Sequence, residues 1–576
     1  MQSYREYFEA EMRSLQELAQ EFAEAYPEQA SMLNLESIKD RDPYVERLLE
    51  GMAFLTSQIR LRLDDAVPQI SGALLEQLMP ALIRPYPSST VLEFSGRSVL
   101  KEAVQLSKGQ QVRAVNCGPM NANCEFTTTQ AVQVQPLSIS HLSGRESLGG
   151  GAQIDIHLRK QPKSDWQEMD LSALKLYAFA DWQLAYTLIH ALTASDTRVT
   201  ASVPGRPVMA VQDRLRFKLA HTAAEDSLLP YAGRARSAFS VIHDYFCARE
   251  KYLFVELLGL QQLDLPETAD ELVIHIETPI SLPVDTRLDI GHLKLNCVPA
   301  INLYEHDAEP ILFDHKRTDY RVKPDRQIAD YTSVYSVESV TGRDQSTGHT
   351  HDYYPLYAMR NRQDDDRVYS TESRIAGLDN RLTYLSLTSA PPFHQEVLSV
   401  ETRVCNDQYP RRYIDFGGLN TLQGADARLL TVANITRPSR LMHAPDIQDY
   451  QWQLISLLSV TLSSISSVEQ VQQLLSLFDW SGQPENQKRI SAISGITTHA
   501  THRLKQGVLF QGLEVRVELA ESGFSNRSDM YLFGAMLHYF FSGFANMTEF
   551  VQTKIIQLPT YKEWIWNPVF GSKALF

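Results

Sequence analysis

One break in hydrophobic period, at Pro85-Tyr86-Pro87, divides this chain into parts that cannot share a fold. Before it, large apolar residues return every three to four positions, as one face of a helix requires. After it they alternate, as the two faces of a pleated strand require. Tyr4, Phe8, Leu15, Leu18, Phe22 and Tyr26 form the first helical stripe, which Pro27 closes. Asp42-Pro43 opens a second helix, with proline at the first helical position, where its missing N–H costs nothing. Val45, Leu48, Leu49, Met52, Leu55, Ile59 and Leu63 continue it. A third helical segment, GALLEQLMPALIRPYP, carries Leu74, Leu75, Leu78 and Leu82 until the prolines end it. Three amphipathic helices with no strand between them cannot bury their stripes as a thin unit. They predict a partner helix or a neighbouring domain.

Beyond residue 88, STVLEFSG, QVRAV, CEFTTTQAVQVQPLSIS and AQIDIHLRK alternate or run β-branched between Gly, Pro and Asn, which predicts antiparallel strands. A helix is expected over 181–192. SAFSVIHDYFCAREKYLFVELLGL reads as a short helix leading into a buried strand, and DELVIHIETPI, RLTYLSLTSA and LSVETRVCNDQYP as strands. The polar run 341–367, rich in acids, reads as an exposed loop. A helix pair, the strand GVLFQGLEVRVELA and an apolar helix at DMYLFGAMLHYFFSGF follow. The expected fold class is multidomain α+β. It comprises an N-terminal helical segment (1–87), two antiparallel β-rich domains (88–325 with short helices, 326–445 with the polar loop) and a C-terminal α+β domain (446–576).

The balance of 69 acids against 54 bases leaves a formal charge of −15. A surface of that sign repels nucleic acid and anionic lipid at long range, so neither is an expected partner. Five cysteines, Cys117, Cys124, Cys247, Cys297 and Cys405, form no CxxC pair and predict reduced thiols in the cytoplasm. Cys117 and Cys124 would pair only in an oxidising compartment. The acidic, amphipathic N-terminus is unlike a signal peptide, and MYLFGAMLHYFFSGF falls short of the ~18–20 residues of a membrane span. It is expected as a buried helix, with no direct membrane insertion.

The stretch CVPAINLYEHDAEPILFDHKRTDYRV, 297–322, holds a cysteine, two histidines and five carboxylates, and so tests for catalysis. Cys297 lies among alternating apolar residues, where cysteine acts as a small hydrophobe. His306 falls in a turn-like YEHDAEP, and no base is paired with the thiol by spacing. His349 and His351 in GHTHD lack the further ligands a zinc site needs. RESLGGGAQI supplies neither GxGxxG nor a phosphate-loop lysine, and its glycines suit a hairpin. No GxSxG elbow is present. The expectation is a chain with no catalytic, metal-binding or cofactor-binding residues.

The chain resembles the TssF family (also called ImpG or VasA), the baseplate subunits of type VI secretion systems. The resemblance spans nearly its whole length. It is carried by YREYFEAEMRSLQELAQEFAEAYPEQASMLNL, by DPYVERLLEGMAFLTSQIRLRLDDAVPQISGALLEQLMPALIRPYPS and by CVPAINLYEHDAEPILFDHKRTDYRVKPD. YSVESVTG, RVCNDQYP, ITRPSRLMHAP, YQWQLISLLS, FQGLEVRVELAESGF and YLFGAMLHYFFSGFANMTEF follow in the family's order. The polar 343–367 run matches no family block.

The resemblance implies a structural, non-enzymatic part in a contractile, phage tail-like baseplate wedge. Two copies would join one TssG, with TssE and TssK attached and the VgrG spike at the hub. The wedge would initiate sheath and tube assembly and transmit the contraction trigger, docked near the inner membrane. Phe8, Leu15, Phe22, Leu48, Leu55 and Ile59 would then contribute to an inter-subunit helical bundle, the alternative being packing on the chain's own β domain. Flexible joints would be expected near 85–88, at 341–367 and at 437–445. Two rival readings are a metal-dependent or carbohydrate-active enzyme, in which His349, His351 or Asp352 would be essential, and an adaptor that binds effectors through its acidic surface.

Overall fold

The computed structural model describes residues 4–25, 43–147, 150–204, 215–231, 237–283, 286–356, 367–376, 380–388, 394–445, 450–457, 467–505, 507–545 and 549–571. The chain divides into two compact units, residues 1–78 with 451–457, and residues 79–450 with 458–576.

The first unit is built on two long helices packed together, Tyr4–Ala25 and Pro43–Leu78. The expected second and third helices are one 36-residue element that runs through Pro68. A proline inside a helix removes one N–H donor and bends the axis, but the hydrogen bonds on either side can carry the helix past it. The helix ends at Leu78 because Pro80 disfavours helical geometry at Met79 (φ −144°, ψ 55°), and only the short turn Pro80–Leu82 follows. Ala53 and Ser57 are buried, and Ser57 satisfies its hydroxyl on the Phe54 carbonyl at 2.9 Å.

In the second unit, a six-stranded sheet runs in the order Thr421–Leu422, Gln111–Cys117, Ala122–Thr128, Cys297–Ile301, Ser89–Gly96, Leu430–Asn434. Its apolar residues, among them Leu92, Phe94, Val112, Phe126, Val298 and Leu430, form one core. An eight-stranded sheet follows. Tyr304–Asp307 and Ile311–Phe313 both pair with Glu396–Cys405, which leads on to Ser333–Asp344, Thr350–Pro355, Val368–Ala376, Asn380–Thr388 and Tyr320–Val322. Phe313, Tyr353, Leu385, Leu398 and Val400 fill its core.

Two expectations change here. Residues 341–355 are a hairpin of this sheet, with Val340 opposite Tyr353 and Gly342 opposite His351, while 357–366 lie outside the described residues. The run reads as a loop because its turn is polar: the Asp344 carboxylate accepts from the backbone of Ser346 and Thr347 and from the Ser346 hydroxyl. His306, expected in a turn, sits in a strand opposite Thr402.

Two four-stranded antiparallel sheets complete the middle of the chain, one of them in the order Leu137–Glu146, Ala152–Lys160, Glu271–Thr278, Arg198–Ser202. The expected helix at 181–192 is present as Trp182–Thr193, with the Asp181 carboxylate accepting from the amides of Gln183 and Leu184. Ser237–Cys247 leads into the strand Phe254–Leu258, as the sequence predicts. At the C-terminal end, Val508–Ala520 and Glu549–Leu558 run parallel. Parallel neighbours need a crossover, which the apolar helix Arg527–Ser542 supplies, buried along most of its length. Ile493–Lys505 pairs with Val508–Ala520 on one side of the sheet, while Lys562–Ile565 and Val569–Phe570 both pair with Glu549–Leu558.

Two segments expected as joints are bound to each other. Tyr86 and Met442 exchange backbone hydrogen bonds, and the Ser439 hydroxyl accepts from the Ser89 amide at 2.9 Å. Tyr86 donates its phenol to buried Asp244 at 2.8 Å. A hinge through 85–88 or 437–445 would have to break these bonds, so the prolines there stiffen a seam.

Candidate functional site

The 297–322 stretch does not converge. Cys297 is buried within its strand, and burial pushes its thiol well above the ordinary range. Its carboxylates are shared out among separate partners: Glu305 with Arg403 at 3.8 Å, Glu309 with Arg326 at 3.0 Å, Asp314 with the Tyr320 hydroxyl at 2.8 Å, Asp319 with Arg374 at 2.5 Å. His306 turns its Nδ1 to the Asp307 carbonyl at 2.9 Å. Glu305 and His306 lie on one strand, Glu309, Asp314 and Asp319 lie in the connections between strands, and no two of these four carboxylates share a partner. They decorate a sheet.

A more suggestive row went unread in the sequence. On the sheet containing Glu271–Thr278, Ser202 Oγ lies 2.8 Å from His275 Nε2, and His275 Nδ1 lies 2.7 Å from Asp155 Oδ1. The order is that of a serine hydrolase relay. Acyl transfer also needs donors aimed at a developing oxyanion, and the three side chains provide none. The same sheet repeats the residue types without the relay order: Ser140 donates to the Glu271 carboxylate at 2.6 Å, and His157 Nδ1 lies 3.1 Å from that carboxylate. These two contacts hold the Glu271 carboxyl below its ordinary range, the Ser140 bond contributing most. Arg145 adds a 3.1 Å contact to Asp155. Rows of alternating partners satisfy polar side chains on a half-covered sheet. Sequence cannot show them, because the register that aligns Asp155 with His275 is set by tertiary pairing. Among the described residues, no group of three or more His, Cys, Asp or Glu could hold a metal ion.

The helical unit presents a different kind of site. At 100° per residue, Tyr44, Leu48, Met52 and Leu55 fall within an arc of about 80° on the helix Pro43–Leu78. They are 81%, 67%, 49% and 60% exposed, whereas Ala53 and Ser57 on the opposite side are buried. Gly51 borders the arc, with open space where a side chain would stand. Arg47 and Gln58 border it on that side as exposed polar residues. An apolar centre with a polar rim is the composition of a protein interface.

Of the interface residues expected from sequence, Leu48 and Leu55 stand on this arc. Phe8 and Leu15 are half-buried on Tyr4–Ala25. The side chains of Phe22 and Ile59 lie outside the described residues. The sequence stripe joined Leu48 and Leu49 on one face, whereas the structure turns Leu48 outward and leaves Leu49 half-buried.

A second construction joins the two large sheets. Asn302 follows the strand Cys297–Ile301, Asn406 follows Glu396–Cys405, and both are fully buried. Asn302 Nδ2 also reaches the Glu125 carbonyl at 2.7 Å, and Asn406 Nδ2 reaches the hydroxyls of Tyr304 and Thr332, each at 3.1 Å. Both asparagines fall inside the blocks CVPAINLYEHD and RVCNDQYP that carry the family resemblance.

A helical unit with an uncovered apolar face, joined to a β-rich body tied by buried polar clasps, defines a subunit of a larger assembly. The family model described as "Type VI secretion system, TssF" matches residues 1–573, and the chain belongs to that family. It is 26% identical to the type VI secretion system component TssF1 of Pseudomonas aeruginosa, over 95% of each chain. Its fold is similar to a chain in the cryo-electron microscopy structure of the type VI TssK-TssF-TssG baseplate subcomplex. That match has 30% identity, a TM-score of 0.78, and covers 91% of this chain and 98% of that one. A chain of the type VI baseplate complex matches at 25% identity with a TM-score of 0.65, covering 99% of this chain and all of the other. The protein is a type VI baseplate subunit of the TssF family, and among the described residues no helix is long and apolar enough to cross a membrane.

Proposed function

We propose that this chain is a non-catalytic scaffold of the baseplate wedge. It works in the cytoplasm, near the inner membrane, bound to TssG- and TssK-type subunits and present as two copies in each wedge. TssE- and VgrG-type subunits complete the neighbourhood, and the assembled wedge starts sheath and tube growth and passes on the contraction trigger. The observation that carries this reading is the exposed Tyr44–Leu48–Met52–Leu55 face on a two-helix unit. Burying side chains of this size stabilises a complex by about 1.5–3 kcal/mol each. Phe8, Leu15, Phe22 and Ile59 would support the same helical bundle. The dispersal of the 297–322 carboxylates favours a scaffold over the enzyme reading.

The test is co-expression with a tagged TssG-type partner, followed by light scattering on the purified complex. A stable complex with two copies of this chain per partner is expected. A well-behaved monomer that ignores the partner would overturn the reading.

A further inference from the structure

The two edges of the C-terminal sheet are built differently. On one, Lys562–Ile565 is four residues long and charged at Lys562 and Glu563, and Pro568 separates it from the two-residue strand Val569–Phe570. Short strands, charge and proline are the usual means of discouraging a further strand from adding.

The opposite edge is long and lacks proline. Ile493–Lys505 is 13 residues long and, among the described strands, pairs only with Val508–Ala520. Its inner end is covered: Ile493 is buried, its carbonyl accepts from Gln472 Nε2 at 2.9 Å, and the strand's one irregularity lies between Ile493 and Gly495. From Thr497 to Leu504 the register is unbroken, and TTHATHRL contains no proline and no carboxylate. Thr497, His499, Ala500 and His502 are exposed. Near the tip, Leu504 stands opposite Leu509, at 73% and 65% exposure. Alternate backbone N–H and C=O groups along this run point away from its one neighbour, at the spacing of a strand ladder.

The charge says what kind of strand would fit. Between Ile493 and Lys505 the chain carries two fixed cations, Arg503 and Lys505, and no acid, within a protein of net charge −15. Arg503 lies over Phe550 and donates to Gln552 Oε1 at 2.9 Å, which fixes its charge on the sheet. A second copy would bring an equally basic edge.

We propose that the Thr497–Leu504 edge takes an extended, carboxylate-bearing segment of a partner subunit as an added β-strand, with Leu504 and Leu509 seated against its apolar side chains. This rests on reading the chain as an assembly subunit.

Hydrogen exchange on the full chain, alone and in complex with its TssG- and TssK-type subunits, tests it. Outward-facing amides of Thr497–Leu504 should exchange at least about tenfold more slowly in the complex. The protection should weaken at roughly 0.5 M salt, where the Debye length is only a few ångströms. Successive amides of a strand point to opposite sides, so of Ala500→Pro and Thr501→Pro one removes an outward N–H and leaves the hairpin's ladder intact. That variant, recognised by its unchanged melting temperature, should bind the partners at least about tenfold more weakly. A complex that forms with exchange unchanged overturns the proposal and leaves the scaffold reading standing. Failure to form any complex overturns that reading, and the proposal with it. Protection that grows with the concentration of the chain alone assigns the edge to a second copy and overturns the carboxylate-bearing partner.

Discussion

Asn302 and Asn406, 104 residues apart, clasp each other: Asn302 Nδ2 donates to Asn406 Oδ1 at 2.7 Å, and the Asn406 amide donates to Asn302 Oδ1 at 2.7 Å. The clasp lies where the six-stranded and eight-stranded sheets meet, and neither side chain reaches water. Asn406→Ala leaves Asn302 held by the Glu125 carbonyl and the residue-406 backbone amide, but takes their Asn406 partner from the buried Glu125 amide and from the Tyr304 and Thr332 hydroxyls. An orphaned buried polar group costs about 1–3 kcal/mol, and several are created here, so a loss of about 2–4 kcal/mol is expected. Denaturant titration measures it. A change below about 0.5 kcal/mol would mean the clasp is incidental.

The buried pair Arg489–Asp529 is two-pronged, with Nε to Oδ1 at 3.0 Å and the terminal nitrogen to Oδ2 at 2.9 Å. Asp529 also accepts from the Ser525 amide at 3.1 Å, at the start of the crossover helix. Asp529→Ala strands a buried guanidinium and should cost about 3–5 kcal/mol. The double variant Arg489→Met, Asp529→Leu should recover much of that loss, because it removes both charges. Melting temperatures of the single and double variants decide the point. Equal losses in both would contradict it.

Three buried histidines predict acid sensitivity. Burial pushes His243 and His538 down to about 4, and burial together with the Arg527 charge takes His190 to about 3. Each favours the neutral ring in the folded state, so below the unfolded value of about 6.5 the unfolded chain binds more protons. The stabilisation is complete above that pH and declines as pH falls towards 4, by up to about 1.4 kcal/mol per pH unit for each histidine. Melting temperature should therefore drop between pH 6.5 and 4.5. His538→Gln should lower the midpoint at pH 7 yet flatten the slope, whereas an unchanged slope would exclude its titration as a cause.

Much of the fold is legible locally. The Asp181 cap, the buried apolar helix Arg527–Ser542 and the alternating strands are written in neighbouring residues. What is not legible is pairing between distant segments. Ser89–Gly96 lies between Cys297–Ile301 and Leu430–Asn434, partners more than two hundred residues away. The rows Ser202–His275–Asp155 and Asn302–Asn406 exist only once that pairing is made. That the second and third helical segments form one helix was not legible for a different reason: the one hydrogen bond lost at Pro68 is weighed against a 36-residue helix, not against its own neighbourhood. The exposed apolar arc was half legible, because helical period marks Leu48 and Leu55 as apolar but cannot say which way that side turns.

The most direct test of the account is to place charge on that outward face. Leu48→Glu with Leu55→Glu alters side chains already in water, so the isolated chain should keep its stability to within about 1 kcal/mol, two exposed changes of about 0.5 each. Affinity for the TssG-type partner, measured by calorimetry or by co-purification, should fall at least about tenfold, the equivalent of about 1.4 kcal/mol. A folded double variant that binds the partner as tightly as the parent chain would contradict the account.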